Sequence, residues 1–139
     1  MVLPRAARNL NLIKGPVSTA DVPEWANGNI TGVYALKNET GYVILGNLFG
    51  YYHKWNNFTG YYAGVWESLD GTESGGFAGW FIGHLTLGQF NETATGEEGG
   101  YIGLFRINET DSTIRSVAIA AANDDHFIRY SVCTYTEFE

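Results

Sequence analysis

The sequence predicts an all-β fold: an antiparallel meander closed or nearly closed into a barrel or roll, with a two-sheet sandwich as the alternative. Three observations carry this. A seven-residue pattern, Gly-x-large apolar-x-Gly-x-large apolar, recurs at Gly28-Ile30-Gly32-Tyr34, Gly46-Leu48-Gly50-Tyr52, Gly60-Tyr62-Gly64-Trp66, Gly79-Phe81-Gly83-Leu85 and Gly99-Tyr101-Gly103-Phe105. Its period of two places these residues on one face of a strand. Short clusters of Asn, Asp, Gly, Ser and Thr separate the apolar runs, leaving no room for crossover helices, so successive strands pair antiparallel. Seven runs plus one N-terminal segment make about eight strands, a number that suits a small closed barrel.

The elements follow in order. Residues 1–27 hold all three prolines, Pro4, Pro16 and Pro23, and none of the repeat, so they read as an extended N-terminal arm. Within it, Leu10-Asn11-Leu12-Ile13 reads as a short strand, and Pro23-Glu24-Trp25 as an anchor through the indole. Residues 28–139 read as a single antiparallel β domain. Its expected strands are 28–36, 41–54, 58–68, 76–90, 99–108, 113–122 and 126–138. Residues 113–122 are Ala-rich, which favours helix, yet Ile114, Val117 and Ile119 make no clean helical stripe, so the segment is assigned to strand. On the glycine face, each aromatic side chain finds a glycine on the next strand to pack on. The opposite face carries Phe49, Tyr51, Tyr61, Val65, Trp80, Ile82, Ile102 and Leu104. An antiparallel sheet with one wet face alternates apolar with polar. This one does not, so a second layer, the arm or other copies of the protein must cover it.

Composition narrows the function. Aromatics make up 15% of the chain and charged residues only 17%, with a net charge of −7. The scattered Lys and Arg form no basic stripe, which argues against nucleic acid and against anionic membranes. No apolar run is long enough for a membrane-spanning helix, and membrane insertion is not expected. Cys133 is the single cysteine, so no intrachain disulfide framework exists, and its strand setting reads as a buried inert thiol. His53, His84 and His126 have no metal-ligand spacing, with His84 placed in a strand. Asp124-Asp125-His126 reads as a turn. Glu67 with Asp70, and Glu97 with Glu98, read as solvated turn carboxylates rather than a glycosidase pair. No Gly-x-Ser-x-Gly elbow and no phosphate-binding loop occurs. No enzyme activity, cofactor or metal is expected.

Five Asn-x-Thr triplets begin at Asn29, Asn38, Asn57, Asn91 and Asn108. With 11 Asn, and Ser or Thr at 18 of 139 positions, chance supplies roughly 1.4 acceptor matches. Four of the five fall at expected turns or strand ends, where an N-glycan has room. The start of the chain lacks the long apolar core of a signal peptide, so the chain is either cytoplasmic or has lost a leader; the sequons favour a secreted or cell-surface protein. Glycans would also supply the surface polarity that so few charges cannot.

The stretch Gly28-Asn29-Ile30-Thr31-Gly32-Val33-Tyr34 resembles the first strand of avidin-like biotin-binding barrels. The later tryptophans depart from that family's pattern, and no binding residue is carried over. The function expected from the sequence is that of a secreted, N-glycosylated, non-catalytic structural protein that self-associates as a filament or surface-layer subunit. Its partners are other copies of itself and N-linked glycans. The arm, through Val2, Leu3, Leu10, Leu12 and Ile13, would add a strand to a neighbour's open edge. The alternative is a barrel that binds a small ligand or carbohydrate.

Overall fold

The computed structural model describes residues 22–138. They form eight strands: β1 (Gly28–Asn38), β2 (Gly41–Lys54), β3 (Thr59–Ser68), β4 (Ser74–Ile82), β5 (Leu85–Asn91), β6 (Glu98–Asn108), β7 (Thr113–Ala122) and β8 (Asp125–Glu137). Each pairs antiparallel with the next, and β8 returns to β1, closing the barrel. The sandwich alternative is set aside. The arm residues Val2, Leu3, Leu10, Leu12 and Ile13 lie outside the described residues.

The expected strand 76–90 is two strands. Gly83 and His84 form a two-residue loop between Ile82 and Leu85, and Gly83 has φ +62° at the first central position. Two-residue hairpin loops favour a glycine there. The eighth strand of the barrel therefore comes from this split; the short strand expected at Leu10–Ile13 lies outside the described residues. The repeat at Gly79-Phe81-Gly83-Leu85 crosses the turn. β4 carries its own copy four residues earlier, Gly75-Phe77-Gly79-Phe81. His84 sits in the loop, exposed, with Nδ1 3.2 Å from the Phe105 carbonyl. The β7–β8 loop, Asn123-Asp124, has positive φ at both central positions, as a type I′ turn requires. A bulge at Leu45 shifts the β1–β2 register, so Tyr34 faces Gly46 while Ala35 faces Ile44.

The glycine face is the inside of the barrel. Contacts between non-neighbouring strands establish this. The hydroxyls of Tyr62 on β3 and Tyr101 on β6 lie 2.5 Å apart. Tyr34 on β1 meets Trp66 on β3 edge-on, and Phe90 on β5 meets Phe127 on β8.

Glycines and aromatics tile the inside of β1–β6 in register. Gly28 faces Tyr52 and Tyr34 faces Gly46; Gly64 faces Phe77, Tyr62 faces Gly79, and Trp66 faces Gly75; Gly88 faces Tyr101 and Phe90 faces Gly99. Each ring covers its glycine closely. A Cβ on Gly64 would lie 2.6 Å from the Phe77 ring, and one on Gly79 2.7 Å from the Tyr62 hydroxyl. The glycines make room for rings that would otherwise overfill a small barrel.

β7 and β8 break the tiling. Their inner faces carry Ser116, Ala118 and Ala120 opposite Ser131, Arg129 and Phe127. Ser116 and Ser131 are hydrogen-bonded through their hydroxyls.

Candidate functional site

The outer wall of the barrel divides in two. Over β2–β4, Tyr51, Ala63 and Ala78 form one register row, each 1% exposed. Val22, Trp25 and Ala26 pack on this row together with Phe49 and Val65. Phe138, from the other end of the chain, reaches Tyr51 with ring centroids 6.3 Å apart, and its amide donates to the Asn27 carbonyl at 2.8 Å. Trp25 is anchored as the sequence suggested. Its ring lies 5.2 Å from that of Tyr61, and its carbonyl is 2.7 Å from His53 Nδ1. The two ends of the described chain thus supply the missing layer here.

Over β4–β8 that layer is absent among the described residues. Two apolar rows run straight across five strands. Direct pairing puts Trp80, Leu87, Ile102, Ile119 and Ile128 in one row, and Ile82, Leu85, Leu104, Val117 and Tyr130 in the next. Trp80 is 38% exposed, Ile102 54% and Leu104 58%. Eight of the ten side chains in the two rows are 36–58% exposed, a contiguous apolar surface of the kind that marks an association site. At β1 the second row meets the buried Ala35, and beyond it Tyr130 packs edge-on against Tyr42 of β2, with ring centroids 5.2 Å apart; Tyr42 and Ile44 are exposed there.

None of the sequon asparagines lies in either row. Asn38, Asn57 and Asn108 are exposed at strand ends or in a turn. At Asn38, Oδ1 accepts from the Thr40 and Gly41 amides at 2.9 and 3.0 Å. At Asn108 it accepts from the Thr110 amide at 3.0 Å. These Asx turns hold the oxygen against the backbone and leave the side-chain nitrogen outward. Asn29 is half-buried within β1. Asn91 is half-buried at the end of β5, its Oδ1 accepting from the Gly76 amide at 2.7 Å.

The other candidate residues do not converge. His53 packs against Trp25, His84 sits in the β4–β5 loop and His126 lies near the start of β8. No three metal-ligating side chains cluster among the described residues. Asp70 accepts from the Thr72 amide at 3.0 Å, the Thr72 hydroxyl at 2.7 Å and the Ser68 hydroxyl at 2.8 Å. The Thr72 bonds, then the Ser68 bond, lower its carboxyl to about 2, the opposite of what a general acid needs. Glu97, in the β5–β6 connection, and Glu98, the first residue of β6, are both exposed. Cys133 is buried on the inner face, and burial pushes its thiol up to about 11.

Inside the barrel, burial pushes the phenols of Tyr62 and Tyr101 up and keeps them protonated. Burial, followed by the nearby Glu73 carboxylate, takes Tyr34 to about 12. Arg129 faces inward, its guanidinium 4.5 Å from the centre of the Phe127 ring, and no described carboxylate pairs with it.

The sequence placed an uncovered apolar face on the molecule but could not divide it. Leu87, Val117, Ile119, Ile128 and Tyr130 were missed, and Leu85, expected on the glycine face, lies on the outer one because the two-residue turn resets the alternation. Once the 83–84 turn is recognised, the alternation in 85–91, 113–122 and 125–137 puts each of them on the outer face. No protein-family model matches this chain, no curated protein matches it, and no solved structure matches it.

Proposed function

We propose that the protein is a secreted or cell-surface, N-glycosylated, non-catalytic barrel that self-associates, and that copies meet through the outer face of β4–β8. The uncovered pair of apolar rows carries this reading. A two-fold contact would lay β6 of one copy over β6 of the other as two stacked sheets, hiding each surface in the other. The sequons are compatible with the reading, because none of the five asparagines lies in either apolar row. Closure of the barrel changes the proposed mechanism. Every strand from β1 to β8 has two neighbours, so an incoming arm finds no edge strand to extend, and association through a sheet face replaces strand addition. Electron microscopy and light scattering of the protein from its natural source test the proposal. Particles or filaments of two or more copies are expected; a lone monomer at every concentration would overturn it.

A second reading, a small-ligand barrel, is favoured by the inner wall of β7–β8, where Ser116, Ala118 and Ser131 flank the inward-facing Arg129, whose guanidinium donates to the Ile128 carbonyl and meets no carboxylate among the described residues. An anionic apolar dye, 8-anilinonaphthalene-1-sulfonate, separates the two. Saturable binding that Arg129→Met abolishes supports the ligand reading; no binding leaves the self-association reading alone.

A further inference from the structure

We propose that Trp55 and Asn57 act as one unit, in which the first sugar ring of a glycan on Asn57 lies against the exposed indole of Trp55 and braces the β2–β3 turn. The inference rests on the glycosylation reading above. Phe58, Tyr42 and Trp55, at 71%, 62% and 60%, are the most exposed of the large aromatic side chains. Two of the three thus belong to one turn: Phe58 is the middle residue of the sequon Asn57-Phe58-Thr59, and Trp55 stands two residues before it. A turn that displays two such rings leaves apolar surface in water with nothing folded over it.

The turn is rigid enough to aim a sugar. The Trp55 amide donates to the Thr59 carbonyl at 2.9 Å. Asn56 Oδ1 accepts from the amides of Phe58 and Thr59 at 2.7 and 2.9 Å. Asn56, not Asn57, therefore supplies the side-chain bonds that hold the turn, and Asn57 is exposed. Trp55 is braced on its inner side by Tyr61, with ring centroids 5.5 Å apart, and Tyr61 in turn packs on Trp25 and His53. Residues two apart have Cα atoms no more than ~7 Å apart, within reach of a pyranose linked through the Asn57 amide. The apolar C–H face of a pyranose is complementary to the electron-rich face of an indole. The position two residues before each other sequon holds Asn27, Leu36, Gln89 or Arg106. Those four sites lack the aromatic ring and serve as internal controls.

The test is a thermal double-mutant cycle on the full chain secreted from a eukaryotic host, with site occupancy read by mass spectrometry. Asn57→Gln removes the glycan, Trp55→Thr removes the ring, and Trp55→Tyr keeps a ring as a folding control. Unglycosylated chain from bacterial cytoplasm corrects for the substitutions themselves. With Trp55 or Tyr at position 55, loss of the Asn57 glycan is expected to lower Tm by roughly 3 °C; with Thr there, it should change Tm little. An equal drop in all backgrounds, or none in any, overturns the stacking. An empty Asn57 beside occupied Asn38 and Asn108 also overturns it while leaving the glycosylation reading standing. Five empty sequons would overturn both.

Discussion

The covered and bare halves of the outer wall are built from the same materials. Phe49 and Tyr51 on β2 read much like Ile102 and Leu104 on β6: large apolar side chains at alternate positions, facing outward. Tyr51 is 1% exposed and Leu104 58%. The difference is not in the strands but in what lands on them, namely Val22–Ala26 from one end of the described chain and Phe138 from the other. An outward apolar row thus marks a demand for a second layer, which over β2–β4 the chain meets with its own residues.

The largest expected effect sharpens this contrast. Tyr51→Ala should cost about 3–5 kcal/mol of stability, because it empties a filled site beneath a covering layer. Ile102→Ala, on the bare half, should cost under about 0.5 kcal/mol in the monomer. Chemical denaturation of both variants checks the pair. Equal costs would mean that the two halves are equally covered and would break the comparison.

A second effect separates the wall from the interior shared by both halves. Tyr34 titrates at 10.0 when unfolded and at about 12 when folded, so the folded state holds its proton longer. Stability should therefore fall as pH rises from about 10 to about 12. Tyr62 and Tyr101, also raised by burial, act in the same direction. Phenolate absorbance and circular dichroism should change together over this range. Phenolates that titrate near their ordinary value while the barrel stays folded would contradict the tyrosine-lined interior.

The smallest effect concerns the β3–β4 turn, away from both rows. Asp70 is held at about 2 against 3.8 when free. Its contribution is full above pH 3.8 and lost as pH falls toward 2. A carboxyl titration followed by NMR checks this, and Asp70→Asn should remove the local acid dependence while leaving association unchanged.

Much of the barrel was legible in the sequence, and the reasons are local. Gly-x-aromatic alternation between Asn- and Asp-rich turns marked β2 to the residue and β1, β3 and β6 within two; the bounding turns and the lack of a helical stripe marked β7 to the residue and β8 within one. The β4–β5 turn was not, because Gly83 fits the repeat as well as it fits a turn. Only its positive φ, a product of the hairpin, tells the two roles apart. Resolving the inner face needed contacts across the lumen, such as Tyr62 with Tyr101, that no strand-level pattern encodes. Nor could the sequence separate Tyr51 from Leu104, since the folded path of residues 22–26 decides which is covered. The strand burial of Cys133 and the turn setting of Asp70 were readable because both arise from short-range structure.

Sedimentation velocity of the wild-type chain beside the Ile102→Lys, Ile119→Lys variant tests the central claim most directly. Both substitutions place a charge in the middle of the bare row, where the folded monomer tolerates it and a second copy does not. A wild type that sediments as a dimer or larger species, and a variant that sediments as a folded monomer, is the predicted result. A variant that associates as the wild type does, or a wild type that is monomeric throughout, would contradict the assignment of β4–β8 as the associating surface.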